Sequence, residues 1–434
     1  MEQIAIIVPL LLLAVLMLAG LPIGFSLGLC GFIGYCMVSG FDAAFSRLGT
    51  VTYSQMANFL FSPIPLFILM GEILHQSGIG ADVYSCAAKW FGRLRGGLCV
   101  ASIIACAIFA AMCGLSLAGS LAIGVVAIPE MLKRGYDKRL ACGSVAVAGT
   151  LGILIPPSLS FILYGAVGQV SIGALFIAGI IPGIVLTLLF STYVILIAWR
   201  HPDIAPGLAG VTWKERIVSL KSLWGAVVII FAVLGSIYLG IATPTEAAGV
   251  GAFGALIVAL ANRRLGPRTL VKAALTTITL NGLVFIIIIG STILGYYLTL
   301  TGLTQGMSAW VGSLDVSRWV IILGINVLLL ILGTFLDPSA IILLTTPILL
   351  PIVMSLGFDP IWFGVVMTIN MEIAFITPPL GYNLYGIYRI APEGVTLGDV
   401  LRGSVPFILL TALGIILISI FPQLALWLPS KMMG

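Results

Sequence analysis

The sequence predicts an all-α polytopic membrane protein of about ten transmembrane helices and two re-entrant helical hairpins, built as two inverted-topology repeats. Three observations lead there. Hydrophobic residues make up 60% of the 434 positions and charged residues 8%, with a mean hydropathy of +1.22, which excludes an ordinary soluble domain. A punctuated stretch occurs twice: Pro129, Gly135-Tyr136-Asp137 and Pro156-Pro157 return as Pro351, Gly357-Phe358-Asp359 and Pro378-Pro379, each displaced by 222 positions. Seventeen of the twenty Lys and Arg residues fall in five short segments.

Apolar runs mark full crossings near 4–20, 22–39, 58–77, 139–167, 173–199, 223–240, 245–261, 278–298, 360–389 and 404–427. The first run, Ile4 to Ala19, lacks the basic flank of a signal peptide and reads as a retained span. The longest polar stretch, Trp199 to Lys221, is too short to bury a core of its own. Seven scattered cysteines show neither metal-ligand spacing nor a need for disulfides. They read as small apolar packing residues, apart from Cys113 at a candidate hairpin tip.

Two apolar stretches remain, Leu98 to Met131 and Trp319 to Met354, interrupted by Cys113-Gly114 and by Leu336-Asp337-Pro338. Each half is expected to be too short for a hydrocarbon core of about 30 Å. Two such halves read as a re-entrant hairpin, which requires a tip buried in protein or facing water. The basic segments, 89–95, 133–139, 200–221, 263–272 and 389–402, leave only Arg47, Arg318 and Lys431 outside. Taken as cytoplasmic, they make the net charge of +5 a topology signal rather than a nucleic-acid one. The first hairpin then enters from the cytoplasm, the second from the opposite face, and both chain ends lie outside.

The duplication extends beyond its core. Gly71, Leu74 and Gly78 recur 224 positions on as Gly295, Leu298 and Gly302, and Gly179 and Pro182 recur as Gly403 and Pro406. Five full crossings separate the starts of the copies, and an odd number turns the second upside down. The expected organisation is 1–68 as N-terminal spans and a connecting arm, 69–200 as repeat one, 201–292 as linking spans, and 293–427 as repeat two. The hairpins fall at 98–131 and 319–354, and the broken helices at 139–167 and 360–389.

Each Pro-Pro pair has a chemical consequence. Proline lacks an N–H, so Pro156 and Pro157 are expected to free the carbonyls of Gly152 and Ile153, and Pro378 and Pro379 those of Ala374 and Phe375. The residue before proline leaves the α region, opening the helices at Ile155 and Thr377. Free carbonyls in hydrocarbon are costly unless something binds them, and sodium is a hard cation that seeks oxygen. The hairpin tips, Ala111 to Ser116 and Gly333 to Ser339, add carbonyl ends that favour cations and amino ends that favour a carboxylate. A kink in a packed helix is the plainer reading of one such break, but two symmetry-related breaks, each paired with a hairpin, favour a binding site.

Individual charges carry two readings each. Asp337 at the second tip serves as a ligand-binding acid or as the N-cap before Pro338, and the roles can coexist. Glu372 either neutralises a bound cation or pairs within the bundle. Glu72 and His75 stand one turn apart but become Tyr296 and Thr299 in the second copy, which favours a structural or interfacial role. Glu246 reads as a helix cap, and Arg389 and Arg402 as boundary markers or as partners of a substrate carboxylate.

At these residues the chain resembles the large membrane subunit of the tripartite ATP-independent periplasmic (TRAP) transporters. The resemblance covers nearly the whole chain. It is most specific in Gly149-Thr150-Leu151-Gly152-Ile153-Leu154-Ile155-Pro156-Pro157-Ser158, Thr243-Pro244-Thr245-Glu246 and Asn370-Met371-Glu372 through Thr377-Pro378-Pro379. It implies a sodium-driven, elevator-type importer of organic anions such as C4-dicarboxylates or sialic acids, in a bacterial inner membrane. The implied partners are a small four-helix membrane subunit and a periplasmic substrate-binding protein, with lipid around them and no nucleic acid. The first sodium site would map to Cys113, Ser116, Gly152, Ile155 and Pro157. The second would map to Gly333, Ala374, Thr377 and Leu380, with Asp337 close by. The implied substrate contacts are Gly114, Ser158, Pro338, Ser339, Asn370 and Pro379. Cys113 departs from a tip usually richer in Ser and Gly, and Ala374 from a frequent Gly.

Rival functions lose ground on motifs. No G-x-x-x-x-G-K-[ST] run is present, so transport would draw on an ion gradient rather than ATP. No H-E-x-x-H motif supports an intramembrane hydrolase. A channel, and a self-sufficient sodium/dicarboxylate symporter, remain as alternatives of similar architecture.

Overall fold

The computed structural model describes residues 2–207 and 210–432 and contains no strand among them. Nine of its helices are long and apolar enough to cross a membrane. Backbone groups have no water to bond in hydrocarbon, so helices are how such a chain satisfies them.

The sequence duplication is a duplication of conformation. Hairpin one is Gly97–Cys113 with Ser116–Lys133, and hairpin two is Arg318–Phe335 with Pro338–Ser355. Each returning arm leaves through a left-handed glycine, Gly135 or Gly357, both at φ +80°. The next helix is then capped by an aspartate. Asp137 accepts from the Arg139 and Leu140 amides (2.9 and 3.0 Å), and Asp359 from those of Ile361 and Trp362 (2.7 and 3.2 Å). Broken helix one runs from Lys138–Ala148 through the 3₁₀ turn Gly149–Ile153 to Leu159–Gly168. Broken helix two runs from Pro360–Ala374 to Tyr382–Ile390. Both Pro-Pro bonds are cis.

The copies are inverted, as the parity of crossings requires. The Tyr164 hydroxyl, late in broken helix one, donates to the Pro360 carbonyl at the start of broken helix two (2.7 Å). The Asn383 side-chain amide, late in broken helix two, donates to the Ala146 carbonyl in the first half of broken helix one (2.9 Å). The two run antiparallel.

The basic segments gather at one end of the bundle. The Gly96 amide donates to Ala205 (2.9 Å) and that of Asp137 to Ile204 (2.8 Å). The Trp90 indole donates to Arg216 (3.2 Å). Lys138 pairs with Asp399 at 2.9 Å, and Arg264 with Asp82 on the Ile79–Phe91 helix. Hairpin one starts and finishes at this end.

Glycines set how closely the repeats interlock. A Cβ on Gly143 would strike the Gly403 backbone, and one on Gly403 would strike the Arg139 carbonyl. Lipid tails are as apolar as leucine, so close approach of small residues supplies much of the helix association. Replacing Gly403 with leucine is expected to destabilise the bundle by about 3 kcal/mol, read as a lower unfolding temperature in detergent.

Several boundaries differ from expectation. The hairpin arms hold 17 or 18 residues, about 27 Å at the helical rise. They fall only a few Å short of a core of about 30 Å, so the turn at each tip, more than arm length, is what defines the hairpins. The 278–298 span is the C-terminal two-thirds of a 34-residue helix, Pro267–Leu300. The final span ends at Ile420, because Pro422 interrupts it before Gln423–Met432. Helices Phe41–Met56, Ile79–Phe91 and Leu303–Ser313 were outside the predicted spans; their fewer apolar residues hid them from a search for crossings. All seven cysteines are free, and all but Cys36 are buried. Glu246 does cap its helix, accepting from the Thr243 amide at 2.8 Å.

Candidate functional site: two hairpin tips against two broken helices

Each tip rests on the break of its own repeat. Gly114 turns hairpin one at φ +66°, and a Cβ there would collide with the Pro157 carbonyl. Gly152 faces Leu115 so closely that a Cβ would lie 2.9 Å from the Leu115 carbonyl. In the second repeat, a Cβ on Gly333 would lie 2.7 Å from the Ala374 Cβ. Cys113, Gly114, Ser116, Gly152 and Pro157 are thus grouped, as are Gly333 and Ala374.

The carbonyl accounting is narrower than the prolines alone imply. The Ile153 carbonyl accepts from the Ser158 hydroxyl, and the Phe375 carbonyl from the Asn383 amide (3.1 Å). Those two are satisfied within the chain. The Gly152 carbonyl has no hydrogen-bond donor among the described residues, and that of Ala374 has only the Thr377 amide at 3.4 Å. The Thr377 hydroxyl donates to Ile373 (2.7 Å). One weakly bonded or unbonded carbonyl per repeat is left, both against hairpin tips.

A cavity of 370 Å³ joins the repeats. Gly114 to Ala118 line it from hairpin one, Pro338 and Ser339 from hairpin two, Ile153, Leu159 and Ser160 from broken helix one, and Phe375 from broken helix two. Its far wall is the Pro63–Gln76 helix, with Glu72, His75 and Gln76, together with Thr276 and Leu280 of Pro267–Leu300. One unbonded and one weakly bonded carbonyl, those of Gly152 and Ala374, directly precede the lining residues Ile153 and Phe375, and two hairpin helices start in the wall, an arrangement suited to holding cations beside an anion.

A family described as "Tripartite ATP-independent periplasmic transporter, DctM component" matches residues 10–424. The chain belongs to this family. Two relatives agree across nearly their whole lengths. The C4-dicarboxylate TRAP transporter large permease of Pseudomonas aeruginosa is 37% identical over 93% of this chain and 94% of its own. The sialic acid TRAP transporter large permease of Vibrio cholerae is 30% identical over 96% and 97%. The YdaH transporter of Alcanivorax borkumensis shares the fold at a TM-score of 0.62, with 16% identity over 98% of each chain. The protein is thus a multi-pass member of the TRAP transporter permeases.

In this TRAP permease the expected substrate contacts divide. Gly114, Pro338 and Ser339 line the cavity. Ser158 is buried with its hydroxyl engaged by Ile153. Asn370 bonds Asn326 and Val366 (2.7 and 2.9 Å) inside repeat two, and Pro379 is exposed outside the lining. These three do not reach the cavity, because their side chains serve or follow the breaks rather than the gap between tips. Ser116 lines it while its hydroxyl accepts from Asn383 (2.8 Å). Ile155 lines a different cavity together with Pro156. Asp337 caps its helix, accepting from the Ser339 amide (2.8 Å), and with Leu380 it lines a separate 360 Å³ cavity beside Gly20–Phe25. Arg389 and Arg402 are outside the lining of the shared cavity.

Two groups stand differently from the sequence reading. Glu72 and His75, expected in a structural or interfacial role, line the cavity shared by the two repeats. The signal was present: their counterparts are Tyr296, stacked under the Arg47 guanidinium at 3.7 Å, and Thr299. A pair kept in one copy only is not demanded by the shared fold. Glu372 is fully buried, and neither carboxylate oxygen has a hydrogen-bond partner among the described residues.

Proposed function

We propose that this permease imports an organic carboxylate by sodium-coupled, elevator-type transport. A periplasmic binding protein delivers the substrate, and a small four-helix membrane subunit holds the scaffold. The observation that carries the reading is the pairing of an under-bonded carbonyl with a hairpin tip in each repeat, around one shared cavity. Sodium at Cys113, Ser116, Gly152, Ile155 and Pro157 would satisfy the Gly152 carbonyl. A second ion at Gly333, Ala374, Thr377 and Leu380, with the nearby Asp337, would satisfy that of Ala374. The two ions then hold the tips down and supply positive charge for the carboxylate at the helix starts.

The two hairpins (98–131 and 319–354) and the two broken helices (139–167 and 360–389) move as one block, while the remaining helices, Pro63–Gln76 among them, and the small subunit hold still. With the basic end cytoplasmic, both chain ends are periplasmic. The cavity follows Leu117 and Leu121 down hairpin one and Glu72 to Gln76 down the scaffold toward that end. This corresponds to an inward-open arrangement.

Proteoliposomes test this. Uptake is expected only with all three components and an inward sodium gradient. Uptake that persists without sodium overturns the coupling. Equal uptake by the large subunit alone favours a self-sufficient symporter instead.

A further inference from the structure

We infer that the Glu72–His75–Gln76 edge of the scaffold helix selects the substrate, favouring a carboxylate that also carries a hydrogen-bond donor over a dicarboxylate. The inference rests on reading the shared cavity as the transport site.

Glu72 lies in the cavity wall and is 6% exposed. It has no ion-pair partner among the described residues; its one hydrogen bond is from the Gln76 amide at a long 3.5 Å. The His75 Nδ1 is buried without a hydrogen-bond partner among the described residues. No Lys or Arg is in the lining. Lys272, one turn before Thr276 on the facing helix, is exposed and lies outside it. The wall opposite the tips therefore offers an under-bonded carboxylate and an imidazole nitrogen free to donate or accept, with no fixed positive charge.

A nearly buried carboxylate left so poorly bonded is expensive in a membrane interior unless a ligand serves it. A substrate whose carboxylate sits at the tips would place its remaining groups against this edge. An ammonium, amidinium or hydroxyl there would donate to Glu72, with His75 as a second polar contact. A second carboxylate there would meet like charge, which is discrimination by repulsion. The volume of 370 Å³ suits a small metabolite. The pair is replaced by Tyr296 and Thr299 in the second repeat, so its presence follows the cavity and not the symmetry of the fold.

The test titrates three probes into the purified membrane complex in sodium, following thermal unfolding. The probes are succinate, N-acetylneuraminate (a hydroxylated monocarboxylate) and ectoine (an amidinium zwitterion). At least one donor-bearing probe is expected to stabilise the complex at lower concentration than succinate. Ectoine ahead points to a cationic donor, and N-acetylneuraminate ahead to a hydroxyl. Glu72→Gln is expected to weaken the preferred probe about tenfold, equivalent to about 1.4 kcal/mol, while leaving the stabilisation by sodium alone unchanged. Three outcomes overturn the inference: succinate ranking first, no stabilisation by either donor-bearing probe, or a Glu72→Gln affinity within twofold of wild type. If wild type itself shows no sodium stabilisation, the underlying reading of the site fails instead.

Discussion

Replacing Gly114 with valine is expected to eliminate sodium-dependent uptake while the protein still inserts in the membrane. Gly114 occupies φ +66°, where a side chain costs about 1–2 kcal/mol. Its Cβ would also meet the Pro157 carbonyl, and backbone cannot swing aside as a flexible side chain can. Adding an overpacking cost of about 1–3 kcal/mol gives a penalty near 3 kcal/mol, or roughly a hundredfold loss of the assembled site. Uptake into proteoliposomes and elution as a single species in detergent would be measured together. Gly114→Ala serves as the milder variant, strained in the same way but smaller. Uptake by Gly114→Val within a few-fold of wild type would mean that the tip does not form the site.

A leucine at Gly152 is expected to act on the ions more directly. The helix there is already open, so no backbone rule forbids the residue. The obstacle is the hairpin tip, with the Leu115 carbonyl 2.9 Å and the Ser116 amide 3.2 Å from the new Cβ. Separating tip from break would carry the unbonded Gly152 carbonyl away from its neighbours. At about 1–3 kcal/mol, sodium affinity should fall between about fivefold and 150-fold. A sodium titration of uptake reads this as a rightward shift. An unchanged half-saturating sodium concentration would remove Gly152 from the site. Gly403→Leu, which damages the repeat interface far from either tip, distinguishes a general loss of stability from a loss of ion binding.

The fold was legible because membrane proteins write their constraints in one dimension. Hydrocarbon demands long apolar helices, and positive charge marks one side. A duplicated proline pair, an aspartate cap and a left-handed glycine at constant spacing dictate the same local backbone wherever they occur. Hence Asp137 and Asp359, and Gly135 and Gly357, took matching conformations. Hairpin arm length was less legible, since apolarity does not say where a helix stops when its flanks are also apolar. The 17- and 18-residue arms are the result.

Residue chemistry in order along the chain was enough to establish the inverted repeats, the two breaks, the two tips and their kinship with TRAP permeases. What distance in sequence concealed was settled by packing. Ser158 and Asn383 each reach a carbonyl that proline had released. Asn370 turns into its own repeat, whereas Glu72 and His75 turn toward the cavity. A proline removes a donor locally, whereas whether the abandoned oxygen finds another depends on residues brought near only by the assembled bundle.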